Sequence, residues 1–429
     1  MNRIIILIFL LAISTSFGQK LNSSEKKILK TIAKNNSEAI DLLKEVVAIN
    51  SGTMNHQGVK EVALIFKQAF EEINFNTDWV DMSEVNRSGH LFAEIKGKKG
   101  KKILLIGHFD TVFEKDSPFQ KFTMVNDSIA HAPGANDMKG GDIIMLYALK
   151  ALQENGLLKD AQIIVAYTGD EESSGKPLSI SRRDLIAAAK RSDIALGFET
   201  STGLNYATVA RRGSSGWEVE VTGKRAHSSG IFNKEVGAGA IFELSRILNS
   251  FYNEVRGEEY LTFNPGVILG GTEVSYDKAF SKGTTFGKSN VVAQTAIVNG
   301  GLRFISEEQK ENAREKMRII VAKNLPHTSA KIIFKDSYPA MGPTKGNLAL
   351  LEILNQVSLD LNQGDVEAYD PGKRGAADTS FVADYVDCLD GLGALGENSH
   401  TPQETINLNA IEALTKRTAI LIYRLINQK

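Results

Sequence analysis

Apolar residues recur three and four apart over 23–48 and again over 61–73, the spacing of helices that bury one face. Unbroken apolar runs follow. Residues 91–95, 103–106, 161–167 and 194–198 are short, apolar and bounded by turn residues, as buried strands are. Between them, 143–152 and 181–190 return to helical spacing. Strands alternating with helices predict an α/β domain with a largely parallel mixed sheet flanked by helices. The basic run GKKGKK at 97–102 lies between the first two strands and reads as a solvated hairpin tip.

From Gly213 the pattern changes. WEVEVTG, a helix over 236–255, GVILGGTEVS, NVVAQTAIVNGGLRFIS, a helix over 307–323 and SAKIIFKDS follow in turn. That order, β-α-β-β-α-β, is the ferredoxin-like split unit. It predicts an inserted domain over 213–338. The first domain is then discontinuous, made of 19–212 and 339–429. TPQE, from Thr401 to Glu404, reads as a capping box for the last helix.

Composition narrows the class. The 429 residues suit two or three domains, and 42% hydrophobic content is ample for a large core. Lys and Arg total 50 against 51 for Asp and Glu, a balance that argues for neither nucleic acid nor an acidic membrane surface. Arg3, an apolar run over 4–13 and small or polar residues over 14–18 form a signal peptide, with Gln19 the first mature residue. The expected location is therefore secreted or periplasmic. That apolar run is too short to span a bilayer, no later run is long enough, and no Cys follows it to carry a lipid anchor. The single cysteine, Cys388, excludes an intramolecular disulfide and a cysteine zinc site, and is expected to be a buried thiol.

In open α/β sheets, ligands bind beyond the carboxyl ends of the strands. His108 and Asp110 follow such an end, just past Gly107. Asp137 lies in the loop APGANDMKGG, Glu171 and Glu172 end a third strand, Glu199 ends a fourth, and His400 follows a Gly-broken apolar stretch. Singly, each is an ordinary solvated strand-end residue. As a set, His and carboxylate donors without Cys suit Zn²⁺, Mn²⁺ or Co²⁺. Two metals about 3.5–4 Å apart, sharing one carboxylate, are a recurrent hydrolase design.

GHFDTV, APGANDMKGG, TGDEE, GFE and the late SHT, in this order and spacing, resemble the motifs of the dinuclear zinc peptidases of glutamate carboxypeptidase/aminoacylase type, the M20 family. The resemblance is closest to the glutamate carboxypeptidase branch and covers nearly the whole mature chain. It implies two Zn²⁺ per chain, with Co²⁺ or Mn²⁺ as substitutes. Asp137 would bridge both metals, His108 and Glu199 would complete one site, and Glu172 and His400 the other. Asp110 would accept the second ring N–H of His108 and fix its tautomer. Glu171 would be the general base, taking a proton from the attacking water and returning it to the leaving amine. A cis peptide bond is implied at Asp137–Met138.

In the inserted domain, the resemblance implies that His227 reaches the partner subunit's site and polarises the scissile carbonyl, within a homodimer joined through that domain. Asn290 would bind substrate, and Arg303 would grip its terminal carboxylate, a task suited to a planar bidentate donor. Gly375 aligns with a Gly-rich substrate loop that departs from the family pattern, with Ala376 and Ala377 after it and Arg374 before it. Arg211, Arg212 and Arg374 read equally well as ligands for an acidic side chain and as surface ion pairs. The implied activity is that of a carboxypeptidase, with glutamate as a candidate leaving residue and a small peptide or N-acyl amino acid as substrate. An N-acyl amino acid amidohydrolase with the same centre is the alternative. A non-catalytic binding protein on this scaffold would have lost a ligand or the base, and all are present here.

Overall fold

Six strands form the first sheet of the computed structural model, which describes residues 21–278 and 280–428; the expected signal peptide lies outside them. Their order across the sheet is Asn76–Asp81, Gly89–Lys96, Ala161–Thr168, Lys99–His108, Ile194–Gly197 and Asp387–Leu389. The last four run parallel to one another and the first two join antiparallel. The apolar runs are unbroken because both faces of the sheet are covered. Ile103, Leu105, Ile163 and Val165 point into one core, with the helices Ser23–Ala48, His56–Glu72, Gly140–Glu154 and Leu408–Ile426. Leu104, Ile106, Ile164 and Ala166 point into the other, with Leu185 and Ala188 of the short helix Arg183–Ala189. Cys388 is buried in this second core, as expected.

Three local expectations are corrected. GKKGKK is not a hairpin tip, because Ala161–Thr168 enters between the strands on either side of it. The amides of Lys98 and Lys99 both donate to the carbonyl of Asp160, and a Cβ on Gly97 would stand 1.9 Å from that oxygen. The helix expected over 181–190 is two short helices meeting at Arg182. Thr401–Glu404 does not cap the last helix; Asn407 does, accepting from the amide of Asn409 at 3.1 Å.

A second, wholly antiparallel sheet is drawn from residues 213–336. Its order is Thr262–Gly271, Thr295–Phe304, Gly213–Gly223 and Thr328–Asp336. Trp217, Val219 and Val221 meet Leu244, Ile247 and Met317 of the helices Gly239–Ser250 and Glu307–Ala322 on one face. GVILGGTEVS does not form one strand. It ends at Gly271, and a separate hairpin, Glu273–Asp277 with Lys282–Phe286, follows. The chain enters this sheet past Arg211 and returns past Met341. These two residues exchange both backbone hydrogen bonds, at 2.8 and 3.0 Å. Among the described residues, no helix is long and apolar enough to cross a membrane.

Candidate metal centre

The strand Lys99–His108 ends on His108 itself, two residues past the apolar run, so the imidazole is buried where the sheet opens. Its Nε2 stands 3.4 Å from Asp137 Oδ1 and 3.4 Å from Glu199 Oε1. The other oxygen of Asp137 faces the other way, with Oδ2 at 3.1 Å from His400 Nε2, which lies 3.2 Å from Glu172 Oε2. Two three-residue groups thus share Asp137, and within each the donor atoms lie within 4.8 Å of one another. Donors about 2.0–2.1 Å from a tetrahedral zinc ion stand roughly 3.3 Å apart, so both groups fit a metal. The buried atoms His108 Nε2 and Glu172 Oε1 have no hydrogen-bond partner among the described residues, as metal ligands would.

The charges follow the same geometry. Burial pushes the Asp137 carboxyl up, but His108 and His400 outweigh it and hold the group well below its usual range. Asp137 and Glu172 push His400 up to about 11. Burial lifts Glu172 to about 7. Carboxylates that draw protons so strongly onto two imidazoles would accept divalent cations in their place. Burial also pushes the Glu171 carboxyl well above its usual range; His108 opposes this, and Glu199, Asp378 and Glu172 add to it.

Supporting residues fix these positions. Asp137 sits in the turn Ala135–Lys139, and the Asp137–Met138 bond is cis, as expected. Glu404 holds that turn, with Oε1 accepting from the amides of Asn136 at 2.9 Å and Asp137 at 3.3 Å. Sequence reasoning missed this role by assigning Glu404 to a helix cap; its position four residues after His400 was the available signal. Asp110 offers His108 Nδ1 two acceptors. The nearer acceptor for His108 Nδ1 is the Asp110 backbone oxygen at 3.1 Å, with its carboxylate at 3.4 Å. That carboxylate also accepts from the amides of Glu171 at 3.0 Å and Glu172 at 3.1 Å, and from Thr53 Oγ1 at 2.6 Å.

Arg211 and Arg374 lie near Glu199, and Arg212 and Arg303 neighbour each other. Arg211 is buried; its Nε meets Asp390 at 2.6 Å, its Nη1 donates to the Gly375 carbonyl at 3.0 Å, and its Nη2 has no partner among the described residues. Arg374 donates to the carbonyl of Thr200 at 3.1 Å, while its Nε is buried without a partner among the described residues. Burial and the neighbouring Arg211 lower Arg374 to about 10, against the pull of Asp390, Glu199 and Asp137. Arg212 donates to the Gly372 carbonyl at 2.8 Å and to Thr262 Oγ1 at 3.2 Å. Arg303 lies on the strand Thr295–Phe304, lowered by burial and by Arg212. Among the described residues, only Arg211 of the four forms an ion pair.

The structure thus gathers His108, Asp110, Asp137, Glu171, Glu172, Glu199 and His400 at one sheet end. It does not bring His227 or Asn290 into contact with them. His227 is exposed, its Nδ1 paired with Ser229 Oγ at 2.8 Å. Asn290 is also exposed, and its carbonyl accepts from the Ser228 amide at 2.9 Å.

An α/β sheet end that holds two metal-binding sets sharing one aspartate, with a further acid alongside, defines a metal-dependent hydrolase. Residues 104–424 match Peptidase family M20/M25/M40, and the chain belongs to that family of metallopeptidases, hydrolases of peptide or amide bonds. The chain is 26% identical to carboxypeptidase G2 of Pseudomonas sp. (strain RS-16) over 418 residues, 96% of this chain and 95% of that one. It is 26% identical to succinyl-diaminopimelate desuccinylase of Blochmanniella pennsylvanica (strain BPEN) over 306 residues, 68% and 75% of the two chains. Its fold is similar to that of the YXEP protein of Bacillus subtilis, a dinuclear metal-binding peptidase, with a TM-score of 0.62 at 15% identity, covering 92% of this chain and 99% of that one.

Proposed function

We propose that the chain is an exported zinc carboxypeptidase that releases a C-terminal acidic residue, glutamate foremost, from a small peptide or N-acyl substrate. The observation that carries the specificity is the arginine group. Arg211 and Arg374 both stand near Glu199, Arg212 and Arg303 neighbour each other, and one ion-paired carboxylate serves the four; among the described residues Arg211 and Arg374 keep buried N–H groups without partners. Such donors suit a dianionic ligand. In this reading Arg303 takes the terminal carboxylate and Arg211 with Arg374 the second one. The likeness to carboxypeptidase G2 over nearly the full length of both chains supports it.

His108, Asp137 and Glu199 would hold one ion, and Asp137, Glu172 and His400 the second. When bound, the ions supply Lewis acidity and lower the pKa of water. Glu171 removes the proton of the attacking water and delivers it to the departing amine. Asp110 fixes the peptide groups of Glu171 and Glu172, so that the two adjacent side chains diverge, one toward substrate and one toward metal. Asn290 and the Gly375 loop line the substrate.

His227 would act on the scissile carbonyl of a partner subunit. The edge strand Thr262–Gly271, with Ile268 exposed on it and Phe232, Ile241 and Phe242 exposed nearby, offers a face for a second copy of this chain. An N-acyl amino acid amidohydrolase is the second reading, favoured by the likeness to a desuccinylase.

The test is a zinc-loaded panel of dipeptides and N-acyl amino acids ending in glutamate or leucine. Glutamate substrates should be preferred, with about two metals bound per chain by elemental analysis. Equal rates for the two endings would overturn the acidic specificity. Preference for N-acyl over peptidyl substrates, without preference for the glutamate ending, would select the second reading. Glu171→Gln should keep both metals and lose roughly 10²–10⁴-fold in kcat. A near-normal kcat, or lost metal, would remove Glu171 from the role of base.

A further inference from the structure

Tyr338 lies between the end of the strand Thr328–Asp336 and the backbone pair Arg211–Met341, on the segment by which the chain leaves the second sheet. Its carbonyl accepts from the amide of Ser214, on the entering segment, at 2.8 Å. Its side chain points the other way. The phenol hydroxyl donates to the backbone carbonyl of Glu171 at 2.7 Å. Ser174 Oγ and Arg182 Nη2 share that hydroxyl, and the ring packs on Phe381 with centroids 4.8 Å apart.

The peptide group of Glu171 is therefore held at both ends. Asp110, from the first sheet, takes the N–H, and Tyr338, from the connection to the second sheet, takes the carbonyl. Tyr338 stands on the second-sheet side of the Arg211–Met341 pair, so any swing of that sheet about the pair displaces its hydroxyl. A general base misplaced by a fraction of an ångström loses much of its effect.

We infer that Tyr338 is a positioning residue, which sets the Glu171 carboxylate for proton transfer only when the second sheet is seated against the first. The inference rests on Glu171 being the base. The hydroxyl touches no candidate metal ligand and no arginine of the substrate group; besides the Glu171 carbonyl its hydrogen-bond partners among the described residues are Ser174 Oγ and Arg182 Nη2.

The experiment is Tyr338→Phe in the zinc-loaded full chain, alone and combined with Glu171→Gln. Tyr338→Phe keeps the ring on Phe381 and removes one oxygen. It should bind metal as the parent does and keep KM within about twofold, with kcat about tenfold lower, the scale of one hydrogen bond. In the Glu171→Gln background the same change should lower kcat no further, because residues acting as a unit are not additive. Tyr338→His, which restores a ring N–H donor, should recover part of kcat. An unchanged kcat, a loss confined to KM, or an equal loss in both backgrounds would overturn the inference. If Tyr338→Phe does not fold, absence of recovery by a folded Tyr338→His relative to Tyr338→Leu would overturn it instead. Failure of the underlying reading shows separately, as near-normal turnover by Glu171→Gln alone.

Discussion

Arg182 has a fully buried guanidinium between two carboxylates. Its Nε meets Asp378 Oδ1 at 2.7 Å and its Nη1 meets Asp170, the residue immediately before Glu171. Asp170 also accepts from the amide of Gly175 at 2.8 Å and from Ser181 Oγ at 2.7 Å. Arg182→Met would leave two buried carboxylates without their cation, a loss of roughly 3–5 kcal/mol. A urea titration should show it as a lower midpoint; an unchanged midpoint would contradict the pairing. The pH dependence has a definite sign. Burial pushes the Asp170 carboxyl up, but Arg182, His90, Gly175 and Ser181 outweigh it, so the folded value lies below the usual 3.8. The unfolded chain then binds the extra proton in acid. The contribution of Asp170 is complete above about pH 4 and is lost as pH falls through the lowered folded value. Asp170→Asn should therefore flatten the fall of stability with acid below about pH 4.

At the scale of elements, the last helix gives a direct test of its corrected start. Asn407→Ala should cost about 1 kcal/mol, the usual effect of removing a capping side chain. Thr401→Ala should stay within roughly 0.5 kcal/mol, since Thr401 lies outside the helix. The reverse ranking in denaturant titrations would restore the box that the local pattern suggested. This error shows where sequence reading stops. The apolar runs before His108, Glu172 and Glu199 were legible because both sheet faces are buried, and each donor follows its run within a few residues. Glu404 was misread because its partners, the amides of Asn136 and Asp137, lie 268 and 267 residues away, while a threonine three residues before it made a local cap pattern. Arg182 and Tyr338 escaped for the same reason, with partners up to 196 and 167 residues distant. GKKGKK misled in another way. Nothing in a basic turn tells that a later strand will enter between the two it joins.

At the scale of the whole molecule, His227 is the group whose placement a single chain leaves unexplained. The strand Gly213–Gly223 starts beside the connection between the two sheets and runs 11 residues away from it before His227 follows. At about 3.3 Å per residue that is roughly 35 Å of strand. At its far end the ring has no hydrogen-bond partner among the described residues outside Ser229. In the proposed dimer, a two-fold pairing along the exposed edge Thr262–Gly271 would carry each His227 toward the other subunit's centre. There it could donate to the oxygen that gains charge as the amide is attacked; such donors are worth roughly 2.7–4 kcal/mol. His227→Ala should accordingly lower kcat while leaving metal content intact. Mixing it with Glu171→Gln, under conditions that let subunits exchange, separates the two geometries. If the histidine acts across the dimer, one site of each mixed dimer combines a working Glu171 with a working His227. Equal mixing would make half the dimers mixed, so activity should return to roughly a quarter of the unmutated level. If it acts within its own chain, every site lacks one group and the mixture stays inactive. Exchange shown by mass spectrometry without recovered activity would rule out the shared site.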